Sequence, residues 1–370
     1  MVNSSTSDGL AIEVRGLTKR YGQLVAVDGI SFEVKKGEVF GFLGPNGAGK
    51  TTTIRMLAGI IRASDGEARV MGYPAGSLES KQLSGVVPEQ SNVYLDLTGW
   101  RNLMLTAELY RIPSSEAKAR AENLLQQLGL YERKNSRARE YSMGMRKRLL
   151  LAVALISDPD IVFLDEPTSG LDVQSARFIR GLLLDFKKGG KTLFLTTHNM
   201  SEAAELCDRV AIINRGRLVA LDTPENLRIV AGKRSLIDVH FDKPVSVDAL
   251  KAIVGVTRVE SSQAIDAAEK MKAMAAMGGM GPGRMGQGMK GAGMGGMQRA
   301  GMPQAEPPET GGKRPPGSRF RLYAENPGEV LASLVDFSRA NSLKMNVLNV
   351  NPPSFEDAFV MLTAEASREK

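Results

Sequence analysis

The sequence predicts an α/β fold built around a phosphate-binding loop, followed by a smaller C-terminal α+β domain. Apolar runs typical of buried parallel strands alternate with helical patterns over the larger, N-terminal part of the chain. A G-x-x-x-x-G-K-T motif, residues 44–51, lies between a strand-like apolar run and a helical pattern that starts at Lys50. A second apolar run, residues 161–164, ends in the adjacent acids Asp165 and Glu166.

Composition narrows the class of protein. The chain has 370 residues, which predicts two domains or three, and a formal net charge of +7. Its one cysteine, Cys207, cannot form an internal disulfide, and a reducing cytosol fits. The polar residues 1–8 lack the apolar core of a signal peptide. No run reaches the roughly 18 apolar residues of a membrane span. We therefore expect any membrane role to come through a partner chain.

The glycine-rich loop has the pattern of a nucleotide-binding site. Its glycines allow a tight turn that brings backbone N–H groups close to phosphate oxygens. Lys50 can reach the β- and γ-phosphates, Thr51 can ligate Mg²⁺ and Thr52 can bond a phosphate oxygen. A chance glycine turn is the alternative, but the flanking strand and helix favour nucleotide binding. The candidate residues of the loop are Gly44, Pro45, Asn46, Gly47, Ala48, Gly49, Lys50, Thr51 and Thr52.

Two further strand ends carry candidate catalytic residues. Ligands bind at the carboxyl ends of strands in open α/β sheets. We expect Asp165 to face the Mg²⁺ of the phosphate loop, and Glu166 to face the γ-phosphate and activate water. The alternative, a strand stopped by solvated acids, is weaker because the loop requires such an aspartate. His198 follows the apolar run 192–197 and is expected at the same edge. A contact with the γ-phosphate is the expected role of His198, and a purely structural histidine at the strand end is the alternative.

Three other residues fit the site less specifically. Tyr21 precedes the phosphate-loop strand and could stack on a base, or be an ordinary half-buried tyrosine. Gln90 ends the strand-like run 86–90 and could touch Mg²⁺ or orient water, or be an exposed polar residue. Ser142 heads an apolar helical run, where it could form a second anion site with the free N–H groups or simply cap the helix.

With these motifs assembled, residues 8–232 resemble the ATP-binding subunit of an ABC transporter. The resemblance implies a P-loop NTPase with a RecA-like core, a β-subdomain and a helical subdomain at about residues 100–158. It also implies ATP and Mg²⁺ as ligands, with Thr51, Gln90 and Asp165 on the metal. The matching motifs are the adenine-stacking Tyr21, the Walker A loop 44–52, the Q-loop Gln90, the signature 141–145, the Walker B pair Asp165 and Glu166, the D-loop 169–172 and the switch His198.

The resemblance also implies partners. Subunits of this family pair head to tail, so Ser142 and Gly144 of one copy would meet the ATP of the other in a homodimer or a pseudo-symmetric pair. The signature of the family usually reads L-S-G-G-Q, whereas here it reads Y-S-M-G-M, which resembles exporter subunits for drugs, lipids or polysaccharides. Separate transmembrane permease subunits and a peripheral location at the cytoplasmic face of the membrane are implied. We expect no direct nucleic-acid partner.

The C-terminal part, residues 233–370, reads as β-α-β followed by β-α-β, which predicts a ferredoxin-like module with a regulatory or dimer-stabilising role. Its tail, residues 351–359, looks like the tail of the exporter-type subunits. Between the two halves, about residues 264–318, lies a basic insertion rich in Gly and Met that cannot hold a core, and we expect disorder. Thioethers suit Cu(I), so copper binding is the alternative role of this insertion.

Three other functions compete with a transporter motor. A soluble ABC-type ATPase acting on nucleic acid or the ribosome is favoured only by the basic insertion, which lacks aromatic residues for base stacking. A copper-linked ABC system is the second alternative. The third, a nucleotide switch without hydrolysis, conflicts with the intact Glu166.

Overall fold

The computed structural model describes residues 9–90, 93–231, 235–261, 318–324, 326–351 and 355–365. The chain forms two units, one made of residues 1–232 with 353–370 and the other of residues 233–352. Apart from Ser318, the predicted Gly- and Met-rich insertion lies outside the described residues, and so do its methionines.

The strands of both units are numbered in chain order. They are β1 Leu10–Tyr21, β2 Leu24–Lys35, β3 Val39–Leu43, β4 Asp65–Val70, β5 Tyr73–Pro74, β6 Ser84–Val87, β7 Ile161–Asp165, β8 Thr192–Thr197, β9 Arg209–Asn214, β10 Arg217–Asp222, β11 Ser235–Phe241, β12 Val256–Ser261, β13 Arg319–Ala324 and β14 Met345–Asn351.

The α-helices are numbered in the same way. They are α1 Lys50–Leu57, α2 Leu78–Gln82, α3 Gly99–Leu109, α4 Ser114–Gln127, α5 Met143–Leu155, α6 Val173–Lys188, α7 Met200–Leu206, α8 Pro224–Ala231, α9 Val247–Lys251, α10 Pro327–Ala340 and α11 Phe355–Glu365. None of the helices in the described part of the chain combines the length and the apolarity needed to cross a bilayer.

A six-stranded sheet forms the centre of the first unit, in the order β10-β9-β3-β8-β7-β6. All neighbours pair in parallel except β9 and β10. Every residue of β3, β7 and β8 is buried, as expected for strands covered on both faces. Phe40, Phe42 and Phe194 pack together in one apolar cluster, with the rings of Phe40 and Phe194 stacked and that of Phe42 tilted. The predicted α/β class is therefore confirmed.

A second, antiparallel sheet of the first unit has the order β2-β1-β4-β5. Residues 65–70 form strand β4, which pairs with β1. A Cβ on Gly66 would lie 2.2 Å from the Gly16 carbonyl oxygen, so this glycine permits the close approach of the two strands. A turn follows β4 at Met71 and Gly72, both with positive φ.

The helical pattern predicted through residues 100–158 is broken into α3, α4 and α5. Gly129 has a φ of 62° just after α4, where a side chain would be strained. Two short 3₁₀ helices, Tyr131–Arg133 and Ala138–Glu140, then lead to α5. Ser142 caps α5 by accepting a hydrogen bond from the Met145 N–H.

The second unit contains β11, α9, β12, β13, α10 and β14, with the sheet order β12-β13-β11-β14 and antiparallel neighbours throughout. The last helix, α11, does not belong to it. Phe355 and Phe359 of α11 join the same apolar core as Leu206 and Leu227 of the first unit. The predicted boundary of a C-terminal domain at 233–370 therefore needs correction, because the chain returns to the first unit at about residue 353.

Candidate functional site

A cavity of about 530 Å³ opens where the phosphate loop meets the carboxyl ends of the central strands. Parallel neighbours end at the same edge of a sheet, which is why β3, β7 and β8 deliver their following residues to one place. The cavity is lined by Tyr21, Leu24, Ala26, Pro45, Asn46, Gly47, Ala48, Gly49, Lys50, Thr51, Thr52, Glu89, Glu166, Ser169 and His198.

Two glycines of the phosphate loop are required by close backbone approaches. A Cβ on Gly44 would lie 2.4 Å from the carbonyl oxygen of Ile213. A Cβ on Gly49 would lie 2.6 Å from the carbonyl oxygen of Ala26, and the φ of Gly49 is 107°. The loop can therefore pass close to its neighbours and enter α1 with free N–H groups at its start, which favours an anion.

Lys50 is buried at the first position of α1. Its ammonium group donates a hydrogen bond of 2.7 Å to the Gly44 carbonyl oxygen and lies 3.3 Å from the Pro45 carbonyl oxygen. It also lies 3.3 Å from a carboxylate oxygen of Glu166. The Lys50 ammonium group is thus held against the carbonyl groups of the loop and lines the cavity, where it can reach a phosphate group.

Thr51 and Asp165 lie together, as the sequence predicts. The Thr51 hydroxyl donates to the Asp165 carboxylate at 3.1 Å, and the Thr196 hydroxyl donates to the same oxygen at 2.6 Å. Asp165 is buried at the end of β7. The donor set, a hydroxyl and a carboxylate, consists of the oxygen ligands that Mg²⁺ prefers, and Mg²⁺ takes most of its remaining ligands from water and phosphate.

Glu166 occupies an unusual backbone conformation, with a φ of 48° just after β7. Its N–H donates to the Thr196 carbonyl oxygen at 3.1 Å, and its carboxylate lies 2.9 Å from Nδ1 of His198. Burial opposes the charge of Glu166, but the hydrogen bond with His198 and the charges of His198 and Lys50 lower its pKa below the ordinary value of 4.5. Glu166 is therefore ionised at neutral pH and is able to accept a proton.

The pKa of His198 is raised above its ordinary value of 6.5, chiefly by the hydrogen bond with Glu166, although partial burial acts to lower it. Its side chain is 54% exposed and faces the cavity. The arrangement places a carboxylate between an imidazole and an ammonium group, so that both cations hold the base in its charged form.

Five predicted residues do not line the cavity. Two of them, Gly44 and Asp165, lie directly behind the lining, where they accept hydrogen bonds from Lys50 and Thr51. The other three are Gln90, Ser142 and Gly144. Gln90 is exposed, and its neighbour Glu89 lies in the lining instead. Ser142 is exposed at the start of α5. Gly144 is buried there and packs against Ser175, because a Cβ on Gly144 would lie only 2.5 Å from Oγ of Ser175. Within one copy of the described residues, these two do not form part of the pocket that contains Lys50.

The sequence reasoning missed two buried charged residues beside the site. Lys147 donates to the carbonyl oxygens of Pro88 and Glu89 at 3.1 and 2.9 Å, and burial lowers its pKa. Glu202 lies on α7 and accepts hydrogen bonds from two threonine hydroxyls. A charged residue among the apolar residues of a helix, directly after a recognised motif, is the sequence signal that could have indicated both. Lys147 follows the signature 141–145 on α5, and Glu202 follows His198 on α7.

Comparisons with known proteins agree with this geometry. Residues 27–169 match the family model described as ABC transporter. The chain is 45% identical over 227 residues to the fluoroquinolones export ATP-binding protein of Mycobacterium tuberculosis, covering 60% of this chain and 74% of that protein. It is 39% identical over 253 residues to the Nod factor export ATP-binding protein I of Ralstonia nicotianae, covering 68% and 78%.

Solved structures with the same fold include a dimer and a component of a transporter complex. A dimeric ATP-binding cassette in a post-hydrolysis state, bound to ADP and phosphate, matches with a TM-score of 0.53 and 25% identity over 57% of this chain and 98% of that one. The cbiO1 protein of Clostridium perfringens, part of the ABC transporter complex cbiONQ, matches with a TM-score of 0.55 and 27% identity over 60% and 91%. The predicted nucleotide-binding fold is confirmed.

Proposed function

This chain belongs to the ATP-hydrolysing subunits of ABC transporters, and from this premise we propose that it powers export through separate permease subunits in the membrane. The direction of transport is carried over from the relatives, which are named for the export of fluoroquinolones and of Nod factor. Their cargoes differ, so the proposal extends to export and not to one cargo. We place the subunit at the cytoplasmic face of the membrane, bound through the permease.

The observation that carries the proposal is the Glu166 carboxylate, held between His198 and Lys50 at the edge of the cavity. We propose that Glu166 accepts a proton from the water that attacks the γ-phosphorus, while the bond to ADP breaks. Lys50 holds the phosphates, and the ring of His198 keeps the carboxylate aimed. Tyr21, which is 48% exposed beside the loop, offers a face for the adenine.

We propose that the site takes Mg²⁺, which neutralises charge that develops on the phosphates. Thr51 and Asp165 would hold it, because their oxygens already meet at 3.1 Å at the start of α1. Gln90 remains a third candidate ligand. It is next to Glu89, whose backbone is held by Lys147, and it is exposed toward solvent.

We propose that two copies pair head to tail, so that each ATP lies between one phosphate loop and the partner's Ser142. The support is that Ser142 and Met143 are exposed at the free N-terminus of the long helix α5, away from the chain's own cavity. One matched relative of known structure is itself a dimer. Gly144 contributes by letting this helix start approach Ser175.

We propose that the second unit is a ferredoxin-like module with a regulatory or dimer-stabilising role. Its support is the β-α-β-β-α-β order together with the strand order β12-β13-β11-β14 and the antiparallel pairing. Two of the three alternative functions, an ATPase for nucleic acid and a copper-linked system, rest on the insertion outside the described residues. The export names of the relatives favour transport.

The function is tested by producing the chain together with a candidate permease, chosen as a multi-span membrane protein encoded next to it in the genome. We expect the two to purify as one detergent-stable complex, with ATP turnover faster than in the isolated chain. The Lys50→Ala variant is the matched control and should form the complex without turnover. Sedimentation of the chain with ribosomes or RNA, combined with no binding to the membrane protein, would contradict the transport proposal.

A further inference from the structure

Glu202 is a buried carboxylate whose two oxygens contact two different segments of the site. Its side chain is 1% exposed. One oxygen accepts a hydrogen bond of 2.7 Å from the Thr168 hydroxyl, and the other accepts one of 2.6 Å from the Thr197 hydroxyl. No salt bridge to Glu202 occurs among the described residues. A buried acid without an ion-pair partner is costly, so the two hydroxyls are what hold it.

Each threonine adjoins a residue of the nucleotide site. Thr197 directly precedes His198, at the end of β8. Thr168 is two residues after Glu166 and directly precedes Ser169, which lines the cavity. Glu202 thus joins the segment with the histidine to the segment that follows the base.

The position of Glu202 is itself set by the start of its helix. Its N–H donates to the side-chain oxygen of Asn199 at 3.1 Å, which caps α7. The Asn199 N–H in turn donates to the Thr197 hydroxyl at 3.0 Å. The Glu202 carboxylate and the capping residue Asn199 therefore both bond to the Thr197 hydroxyl. These contacts fix the residues that come directly before and after His198.

The His198 ring needs such support. Its hydrogen bond in the described structure is the one to Glu166, and more than half of its side chain is exposed. Packing contributes little to the orientation of a ring in that situation. The direction of the ring is therefore set mainly by the backbone of residues 197–199, which Glu202 fixes.

We propose that Glu202 is a positioning residue that keeps His198 and the turn starting at Ser169 in a fixed relation to Glu166. The inference rests on the proposed ATP hydrolysis, but its geometric part can be tested without nucleotide. A carboxylate is suited to this role because it offers one acceptor to each segment at once. An apolar side chain of equal size offers none, and both hydroxyls would then lose their acceptor.

Four variants separate positioning from simple stabilisation. Glu202→Ala removes both acceptors, and Glu202→Gln keeps the shape and one acceptor oxygen. Thr168→Val and Thr197→Val each remove one hydroxyl with little change in volume. The control is Glu205→Gln on the same helix, because Glu205 is half exposed and pairs with Arg180 at 2.6 Å.

Two measurements are made on each variant. The first is kcat and KM for MgATP, in the full-length chain. The second is the ring ¹H–¹³C signal of His198, recorded without nucleotide after labelling histidine. The chain contains two histidines, so His240 on β11 of the other unit is an internal reference.

We expect Glu202→Ala to lower kcat by roughly ten- to a hundredfold with little change in KM, because a misaligned group near the reaction is costly. The His198 signal should move in this variant, and in Thr197→Val, toward its position in Glu166→Gln, where the carboxylate contact is altered. Glu202→Gln should recover most of kcat, and Glu205→Gln should match the wild type in both measurements.

A Glu202→Ala protein with the wild-type His198 signal and kcat would overturn the proposal. If Glu202→Ala does not fold, the same decision is taken from Thr197→Val, which must move the His198 signal for the proposal to stand. If the wild-type chain does not hydrolyse ATP, the proposed function fails. The NMR comparison still decides whether Glu202 positions His198.

Discussion

The ammonium group of Lys50 lies 3.3 Å from the Glu166 carboxylate, and both side chains are buried. The residue that is proposed to hold phosphate is therefore paired with the residue that is proposed to accept the proton. A phosphate that binds Lys50 competes with Glu166 for the same cation, which leaves His198 as the other partner of the carboxylate. Binding of ATP and release of the base are thereby linked.

The first prediction concerns Lys50→Ala. We expect loss of ATP binding and of hydrolysis together, measured by isothermal titration calorimetry and phosphate release. The free energy of unfolding in urea should also fall, because breaking a buried ion pair from one side costs about 3–5 kcal/mol. The control is Lys188→Ala, whose pair with Asp185 is exposed and is worth under about 1 kcal/mol. Unchanged ATP affinity in Lys50→Ala would contradict the assignment.

The second prediction is a pH dependence of stability from the His198–Glu166 contact. The pKa of His198 is raised above 6.5, so its contribution is complete below 6.5 and is lost as the pH rises through the raised value. The pKa of Glu166 is lowered below 4.5, so its contribution is complete above 4.5 and is lost as the pH falls through the lowered value.

The contributions of His198 and Glu166 to stability are therefore both complete between pH 4.5 and pH 6.5. We expect the wild type to exceed His198→Ala in free energy of unfolding by more at about pH 6 than at about pH 8.5, measured by urea denaturation. His240→Ala, in the other unit, is the control for the loss of a histidine. An equal difference at both pH values would show that the contact does not depend on the charge of His198.

The third prediction concerns the packing of Gly144 against Ser175. A Cβ on Gly144 would lie 2.5 Å from Oγ and 3.1 Å from Cβ of Ser175. Gly144→Ala should lower the free energy of unfolding by about 1–3 kcal/mol, as overpacking does. The same change should cost less when Ser175→Ala has removed the hydroxyl, as measured in a double-mutant cycle. Equal costs in both backgrounds would mean that the helix start shifts freely.

The fourth prediction is that the permease docks on the surface around Tyr94. Tyr94 and Leu95 are exposed, and Trp100 is half-buried under the Lys134 ammonium, 5.6 Å from its ring. We expect Tyr94→Ala or Trp100→Ala to reduce ATP-driven transport in vesicles while the isolated chain keeps its ATPase activity. Leu97→Ala should act in the same direction.

The matched control for this surface is Leu109→Ala, at the far end of the same helix α3, where the side chain is 71% exposed. It should leave transport and ATPase activity unchanged. Normal transport by the Tyr94 and Trp100 variants would show that the permease docks elsewhere.

The residues of the site that were predictable from the sequence are those at strand ends. Asp165 ends a buried strand, and Lys50, Glu166 and His198 come after buried strands. The parallel sheet brings these strand ends to one edge. A local pattern therefore sufficed to place them. The phosphate loop was also predictable from a local pattern. Its glycines are needed where the backbone passes close to neighbouring carbonyl groups, and the motif already implies such close approaches.

The residues that could not be predicted act across the chain. Lys147 reaches a loop 58 residues away, and Glu202 reaches Thr168 at a separation of 34, so no local pattern indicates either contact. The place of helix α11 also depends on which core accepts Phe355 and Phe359, and sequence proximity assigned it to the wrong unit. Gln90 was assigned from its motif, whereas its side-chain direction depends on the loop.

The Glu166→Gln variant tests the central claim most directly, through ATP turnover and molecular mass in solution with and without MgATP. The account predicts that ATP binds, that turnover falls by at least about a hundredfold, and that a nucleotide-free monomer becomes a dimer. Adding Ser142→Arg, at the exposed start of α5, should abolish that dimer. A Glu166→Gln protein that turns over ATP at the wild-type rate would contradict the assignment of Glu166 as the base.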